Sequence, residues 1–148
     1  MTETQRQTIV RWLGGMLLAG SFSVAQAVDV VFQPVAEGVK AFKGDTEGLT
    51  NENEAHNANL AKVVTPAGAL LIDSGASLQG ARKIAEAARK VTPQPIRWVI
   101  NTGGQDHRWM GNGHFKAQGA EIMAHAGAEA DMKARGPEHL KDNAPVLK

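Results

Sequence analysis

The hydrophobic pattern of the chain changes its period at Asp73-Ser74-Gly75. Before this tripeptide, the β-favouring segments 59–65 and 69–72 flank Pro66-Ala67-Gly68, whose proline and glycine suit a tight turn, so a hairpin is predicted. After it, apolar residues recur at spacings of three and four and predict an amphipathic helix, which Pro93 and Pro95 end. The apolar stripe of this helix comprises Leu78, Ala81, Ile84, Ala85, Ala88 and Val91.

Strand patterns and helix patterns alternate along the rest of the chain, which predicts a single α/β domain with a parallel or mixed sheet covered by helices. Polar or glycine-rich loops follow two successive strands, at Asp73 and at Asn101, and the carboxyl edge of such a sheet is where sites are usually built. Gly136-Pro137 is predicted to break the last helix. The remaining predicted strands are 28–32, 38–42, 96–100 and 120–124, the remaining helices are 114–118 and 126–135, and 43–54 is a polar loop.

The amino terminus has the pattern of a secretory signal. Arg6 and Arg11 precede an uncharged, mostly apolar run over 12–24, and Ala25-Gln26-Ala27 supplies the small residues of a cleavage site. The sequence therefore predicts a signal peptide over 1–27, a mature domain over 28–148, and a periplasmic or secreted protein with no membrane attachment after cleavage. An uncleaved anchor or a buried helix is the alternative.

Composition limits the partners and the chemistry. The chain has 148 residues with 16 basic and 15 acidic side chains, and this balance argues against a nucleic-acid partner. Because the chain has no cysteine, any metal site must be built from histidines and carboxylates.

The loop over 101–112 contains the adjacent pair Asp106-His107 at a predicted strand-to-helix turn. Both side chains offer lone pairs to a divalent metal, so one interpretation is a metal site. The other is structural: Asp106 caps the helix that follows, and His107 lies on its exposed first turn.

Five stretches, in this order, resemble the amino-terminal half of the metallo-β-lactamase superfamily over Val30 to Arg135. They are Asn59 to Ser74 with its Leu-Ile-Asp-Ser-Gly turn, Trp98 to Thr102, Asp106-His107, Gly111-Asn112, and Gly119 to His125. The resemblance implies one half of an αβ/βα sandwich and zinc-dependent hydrolysis, in which a metal-bound water attacks an ester, amide or thioester carbonyl of an unidentified small molecule. It also implies that Asp73 supports the metal ligands from behind; a turn or helix cap is the alternative for Asp73.

The chain departs from the family pattern at the metal ligands. Where the family has His-x-His-x-Asp-His, this sequence has Gly103-Gly104-Gln105-Asp106-His107, one residue shorter. The resemblance therefore carries over Asp106, as a catalytic residue and metal ligand, and His107 as a ligand, and it favours one zinc ion over two. Gln105 offers at most a carbonyl oxygen.

Further pocket candidates are weaker. Arg108 is a hypothetical positive neighbour for Asp106, with a solvated side chain as the alternative. His125 ends a predicted strand at the favourable edge, His114 lies on a short helix, and His56 and His139 lie in polar contexts typical of solvated residues.

The resemblance covers only half of the family's fold, so we expect a partial domain with one exposed sheet face, and a homodimer is one way to cover that face. The rival to a hydrolase is a non-catalytic or truncated scaffold that binds a ligand or a partner.

Overall fold

The computed structural model describes residues 29–145 and 147. The signal peptide predicted over 1–27 lies outside the described residues. Among the described residues, no helix combines the length and apolar character needed to cross a membrane.

A single six-stranded sheet organises the domain, with its strands in sequence order from β1 to β6. The first four strands pair antiparallel, whereas β4, β5 and β6 run parallel to one another, so the predicted mixed α/β sheet is confirmed. The strands are β1 Gln33–Ala36, β2 Val39–Phe42, β3 Leu60–Thr65, β4 Gly68–Ile72, β5 Ile96–Asn101 and β6 Glu121–Ala124.

The predicted hairpin is formed by β3 and β4, and Pro66-Ala67 makes its turn. The first strand begins later than the sequence predicted, at Gln33 instead of within 28–32. Val30 and Phe32 have the alternating apolar pattern of a strand because both are buried in the core, but they precede the paired segment. The apolar pattern therefore predicted the burial of Val30 and Phe32 correctly, but it placed the paired segment of the first strand too early in the chain.

Helix α1 spans Leu78–Val91, the predicted range. Ser77 caps it by accepting a hydrogen bond from the Gly80 N–H at 2.9 Å, which satisfies one of the free donors of the first turn. Its buried residues include Ala81, Ile84, Ala85 and Ala88 from the predicted stripe. Leu78 departs from that prediction, because it is 54% exposed at the first helical position.

Two short helices, α2 Asp106–Trp109 and α3 Asn112–Ala117, follow β5. The core lies where α1 and α3 meet one face of the sheet. Its largest fully buried apolar side chains are Phe115, Leu71, Ile84 and Val99. The buried face of the sheet also carries Lys62, whose side chain is fully enclosed.

The last helix, α4, spans Ala126–Asn143 and continues through Pro137, so the predicted end at 135 is wrong. Proline in a helix removes one hydrogen bond and crowds the preceding turn, at a cost of about 3 kcal/mol. Tertiary contacts hold the helix on both sides of that point: Gly136 is buried against the ring of Trp109, and Asn143 bonds to Asp106.

Candidate active site

Parallel pairing of β4 and β5 brings the two predicted site loops together. Leu71 pairs with Val99 and Ile72 with Ile100, so both strands end at the same edge of the sheet. The Asp73 N–H continues this pairing by donating to the Ile100 carbonyl at 2.9 Å. The loop after β4 therefore lies beside the loop that carries Asp106 and His107.

Asp73 connects the beginning of the second loop to its end. Its side chain is buried, and its backbone has φ 59°, a left-handed conformation that is uncommon for residues other than glycine, asparagine and aspartate. One carboxylate oxygen accepts the Thr102 N–H at 2.8 Å, and the other accepts the Thr102 hydroxyl at 2.7 Å and lies 3.3 Å from the Arg108 guanidinium. These contacts of Asp73 fix the loop after β5 at residues 102 and 108.

The hypothesis that Arg108 is the positive neighbour of Asp106 is wrong. Arg108 forms its ion pair with Asp73 and also donates to the Thr102 hydroxyl. A buried carboxylate is costly without a cation or strong donors, and Asp73 is the more buried of the two aspartates.

The backbone carbonyl of Arg108 is a second anchor for the loop. It accepts the Ser74 N–H at 2.8 Å and the Asn101 side-chain amide at 2.7 Å. Asn112 donates to the Asn101 side chain at 2.7 Å and accepts the Ser74 hydroxyl at 2.8 Å. Gly111 completes this packing, because a Cβ at that position would overlap the Ser74 carbonyl.

Asp106 and His107 begin α2, and both are partly exposed. The Asp106 Oδ1 accepts the His107 N–H at 2.8 Å and lies 3.2 Å from the His107 Nδ1, while the Oδ2 accepts the Asn143 amide at 2.7 Å. Gln105, not Asp106, is the residue that precedes the first turn, and its side chain makes no capping bond. The alternative of Asp106 as a helix cap is therefore not the geometry found.

The pKa of Asp106 is lowered. Burial is the largest influence and acts to raise it, but hydrogen bonds from Asn143 and from the His107 backbone, with the nearby His107 and His139, act in the opposite direction and prevail. Asp106 is consequently held as a carboxylate, the form that a metal ligand requires.

Gln105 is exposed, and its carbonyl accepts the Arg108 N–H at 2.9 Å. The two preceding glycines allow close approaches: Gly104 contacts Asp131 of α4, and its carbonyl accepts the Trp109 indole N–H at 3.0 Å. The stretch in which the family has its leading histidines is thus packed against protein groups.

His139, which was expected to be solvated, and Asn143, which was not named as a candidate, are neighbours of the site. His139 is partly buried, its ring lies 6.4 Å from that of Trp109, and its Nδ1 has no hydrogen-bond partner among the described residues. Gly136, His139 and Asn143 follow one another at spacings of three and four, which would have placed them on one helix face. This spacing is present in the sequence, but because the helix was predicted to end before Pro137, these residues were not placed on it.

The other histidines lie apart from Asp106 and His107 or have structural roles. His125 is exposed and caps α4, its Nδ1 accepting the Gly127 N–H at 3.1 Å. His114 lies 2.6 Å from the side-chain nitrogen of Gln118 and packs edge-on against Phe115. His56 was expected to be solvated, which is wrong: it is 2% exposed and packs edge-on against Phe42, and burial lowers its pKa.

A cavity of about 530 Å³ opens between the start of α1, the end of α2 and the last turns of α4. Its wall is mainly apolar, with Leu78, Met110 and Leu140, and also contains Arg82. Asn143, which bonds to Asp106, lies in the same wall, so the cavity is adjacent to the candidate site.

The residues present meet the requirements of a metal ion only in part. Within 29–145, no group of three or more histidine and carboxylate side chains is placed to hold one. Asp106 and His107 fit as part of a ligand set, but they do not complete one, because catalytic zinc ions usually have three protein ligands.

Comparison with known proteins gives no matching family model and no matching curated sequence. Among solved structures, the metallo-β-lactamase FIM-1 from Pseudomonas aeruginosa in its mono-zinc form matches with a TM-score of 0.61 and 22% identity, over 76% of this chain and 47% of that one. A metallo-β-lactamase from Hirschia baltica matches with a TM-score of 0.60 and 18% identity, over 74% and 49%.

The metallo-β-lactamase IND-7 gives the same result, with a TM-score of 0.60 and 20% identity over 75% of this chain and 50% of its own. The chain thus spans about half the length of the structures it matches, and identities of this size establish the fold alone. The resemblance expected from the order of the motifs is confirmed at that level: the described part of the chain has the fold of about half of a metallo-β-lactamase.

Proposed function

We propose that this chain acts in metal-dependent hydrolysis and that Asp106 and His107 supply part of the ligand set for one zinc ion. The observation that carries the proposal is their position: an ionised carboxylate and an imidazole lie side by side where β5 ends, next to the Asp73 loop. The fold, shared with zinc-containing FIM-1, supports the same conclusion.

The proposal requires at least one more ligand, from outside the described residues or from a second polypeptide, since the described chain supplies two. We therefore derive no chemical step through the metal. Two residues have structural roles that do not depend on the metal: Asn143 fixes one oxygen of Asp106, and Asp73 holds the loop after β5 through Thr102 and Arg108.

We assign the substrate to the cavity beside Asn143. Its aliphatic wall suits the apolar body of a small molecule. The wall carries two charged side chains, Glu54 and Arg82, and because Glu54 is ion-paired with Lys83, Arg82 is the cation that would favour an anionic group on the substrate. The same proposal includes export, with cleavage after Ala27, because hydrolysis of external small molecules fits a periplasmic or secreted protein. Amino-terminal sequencing of the protein from an exporting host tests the cleavage site: Val28 is the expected first residue, and an intact Met1 would contradict export.

Zinc stoichiometry tests the metal site. We expect about one equivalent of bound zinc for the unmodified chain and a large loss of affinity in both Asp106→Ala and His107→Ala. His125→Ala is the matched control, because His125 is exposed and bonds only to the amino terminus of α4. Absence of zinc binding by the unmodified chain, or equal binding by all four proteins, would refute the site.

The second candidate is a non-catalytic scaffold that binds a ligand or a partner. One observation favours it: both oxygens of Asp106 are hydrogen-bonded within the chain. Thermal unfolding with and without a chelator separates the two candidates. A metal protein loses stability when the chelator is added, whereas the scaffold keeps the same melting temperature.

A further inference from the structure

His56 is a titratable side chain that the fold encloses, and it lies outside the candidate ligand pair. Its ring packs edge-on against Phe42 of β2, with the ring centres 5.8 Å apart. It also lies against the first turn of α1, because a Cβ at Gly80 would come within 3.1 Å of the His56 Cε1. The ring of His56 therefore contacts both the sheet and the helix that covers it.

His56 ends a loop over 45–56, between β2 and β3, that folds back on itself. The Asp45 N–H donates to the His56 carbonyl at 2.8 Å and closes the loop. Inside it, the buried Asn53 side chain donates to the Gly48 carbonyl at 2.8 Å and accepts the Ala55 N–H at 2.9 Å. We call this segment the 45–56 loop, and its internal bonds make it a unit that can move as a whole.

Two contacts bind the 45–56 loop to α1. Glu54 is ion-paired with Lys83, and the ring of His56 lies against Gly80. Glu54 and Ala55 have a left-handed backbone, with φ 49° and 61°, which residues other than glycine rarely adopt. Because such a conformation persists only where surrounding contacts enforce it, the loop depends on its packing against α1.

The 45–56 loop also forms part of the wall of the cavity of about 530 Å³. Asn51 and Glu54 of the loop line this cavity together with Ser77 at the start of α1. The helix is fixed in place by the core, since Ala81 and Ile84 are fully buried. A movement of the loop away from α1 would therefore widen the cavity.

The enclosed ring of His56 accommodates a proton poorly. A protonated imidazole carries an N–H on both nitrogens, yet the buried Nε2 has no hydrogen-bond partner among the described residues. Burial lowers the pKa of His56 from its usual 6.5, while the charge of Glu54 acts to raise it and that of Lys83 to lower it. The contacts of the ring on β2 and α1, Phe42 and Gly80, are uncharged, so neither stabilises the proton.

We propose that His56 makes the 45–56 loop sensitive to acid: protonation of the buried ring releases the loop from α1 and opens this wall of the cavity. The released loop binds the proton more strongly, because water solvates the ring there. The released fraction is therefore largely independent of pH above the ordinary histidine pKa of 6.5 and rises as pH falls below it. Release of the loop does not depend on the proposed hydrolysis, whereas its effect on substrate access rests on the proposed function, which assigns the substrate to this cavity.

Hydrogen exchange of the full chain, measured amide by amide between about pH 7.5 and about pH 5, tests the release. After correction for the intrinsic pH dependence of exchange, the N–H groups of Asp45 and His56 should lose protection severalfold. The upper limit is about tenfold for each unit by which the two pKa values of His56 differ. The Asp45 carboxylate does not titrate in this range, because hydrogen bonds, foremost from the Glu47 N–H, lower its pKa from the usual 3.8.

Variants assign the response to one histidine. His56→Gln has no titrating ring, so its protection should not change with pH in this way. His56→Phe, which keeps an aromatic ring against Phe42, replaces it if His56→Gln does not fold, and circular dichroism verifies folding. His125→Gln is the matched control, because His125 is exposed and bonds only to the amino terminus of α4; it should respond like the unmodified chain.

A single introduced thiol reports on the cavity, since the chain has no cysteine. Ala76 is buried and lines the cavity, so Ala76→Cys should react faster with a neutral disulfide reagent as the pH falls. The rate is taken relative to Lys90→Cys, at an exposed position on α1, which corrects for the reactivity of the thiol itself. Combining Ala76→Cys with His56→Gln should abolish the acceleration.

Three results would overturn the release of the loop. They are constant protection of the Asp45 and His56 amides, an equal loss of protection in His56→Gln, and a parallel loss in the amides of β4, which would indicate global unfolding. A released loop with an unchanged relative rate for Ala76→Cys would overturn the opening of the cavity. None of these measurements involves zinc, so their failure is distinguishable from failure of the proposed metal site.

Discussion

Replacing Lys62 with methionine should remove a pH dependence of stability that the buried ammonium group imposes between pH 7 and pH 10.5. The Lys62 side chain is 0% exposed, and its Nζ donates a 2.6 Å hydrogen bond to the Ala88 carbonyl near the end of α1. Burial, together with Lys40 directly opposite on β2, lowers the pKa of Lys62 from 10.5 to about 8.

The direction of the effect follows from proton linkage. Between the two pKa values the unfolded chain binds the proton more strongly than the folded chain, so folding releases it and stability rises with pH. Below about pH 8 the folded state carries the full penalty, and the penalty disappears as pH rises through 10.5. At about 1.4 kcal/mol per pKa unit, the folded protein should gain about 3 kcal/mol across this interval.

Urea unfolding of the unmodified chain and of Lys62→Met, at several pH values from 7 to 10.5, measures this gain. Methionine has a similar unbranched length without charge, so subtracting its curve removes the contribution of every other titrating group. The free energy of unfolding of the unmodified chain, relative to the variant, should rise by about 3 kcal/mol. Lys90→Met, at an exposed position on α1, controls for the loss of a lysine in general. A constant difference between the unmodified chain and Lys62→Met would refute the reasoning.

Three further predictions concern the site loops. Gly111→Ala should destabilise the fold by about 1–3 kcal/mol in urea unfolding, because its Cβ overlaps the neighbouring backbone, whereas Gly113→Ala, in open space on α3, should be neutral or stabilising. Asn143→Ala should raise the pKa of Asp106, measured by NMR titration, since a hydrogen bond that lowers it is lost; an unchanged pKa would contradict the assigned contact. Asp73→Asn should lower the free energy of unfolding by about 2 kcal/mol or more in the same urea assay, because Asp73 is buried and ion-paired with Arg108. An unchanged free energy of unfolding would show that this ion pair does not hold the loop.

Local signals in the sequence predicted most of the fold. Helix α1 was predicted over its observed range because its apolar period and the prolines after it agree. The hairpin of β3 and β4 was equally evident from Pro66-Ala67-Gly68 between two apolar segments. Where local and tertiary preferences coincide in this way, sequence patterns are sufficient.

The errors occur where a distant contact outweighs a local preference. Pro137 is a strong local stop signal, yet α4 continues because Gly136 packs on Trp109 and Asn143 bonds to Asp106. His56 lies in a polar stretch, yet its ring is buried beside Phe42. Arg108 follows Asp106 closely in sequence, but a buried carboxylate 35 residues away is its partner.

The sequence by itself determined most of the strands and helices, the fold they resemble, and the choice of Asp106 and His107 as candidate metal ligands. Periodicity and turn chemistry are local properties, so they are readable without coordinates. Only the tertiary structure decided that Asp73 holds Arg108, that Asn143 fixes Asp106, and that Lys62 is enclosed. Those features depend on which residues the fold brings together across the sheet and between the helices, and spacing along the chain does not encode them.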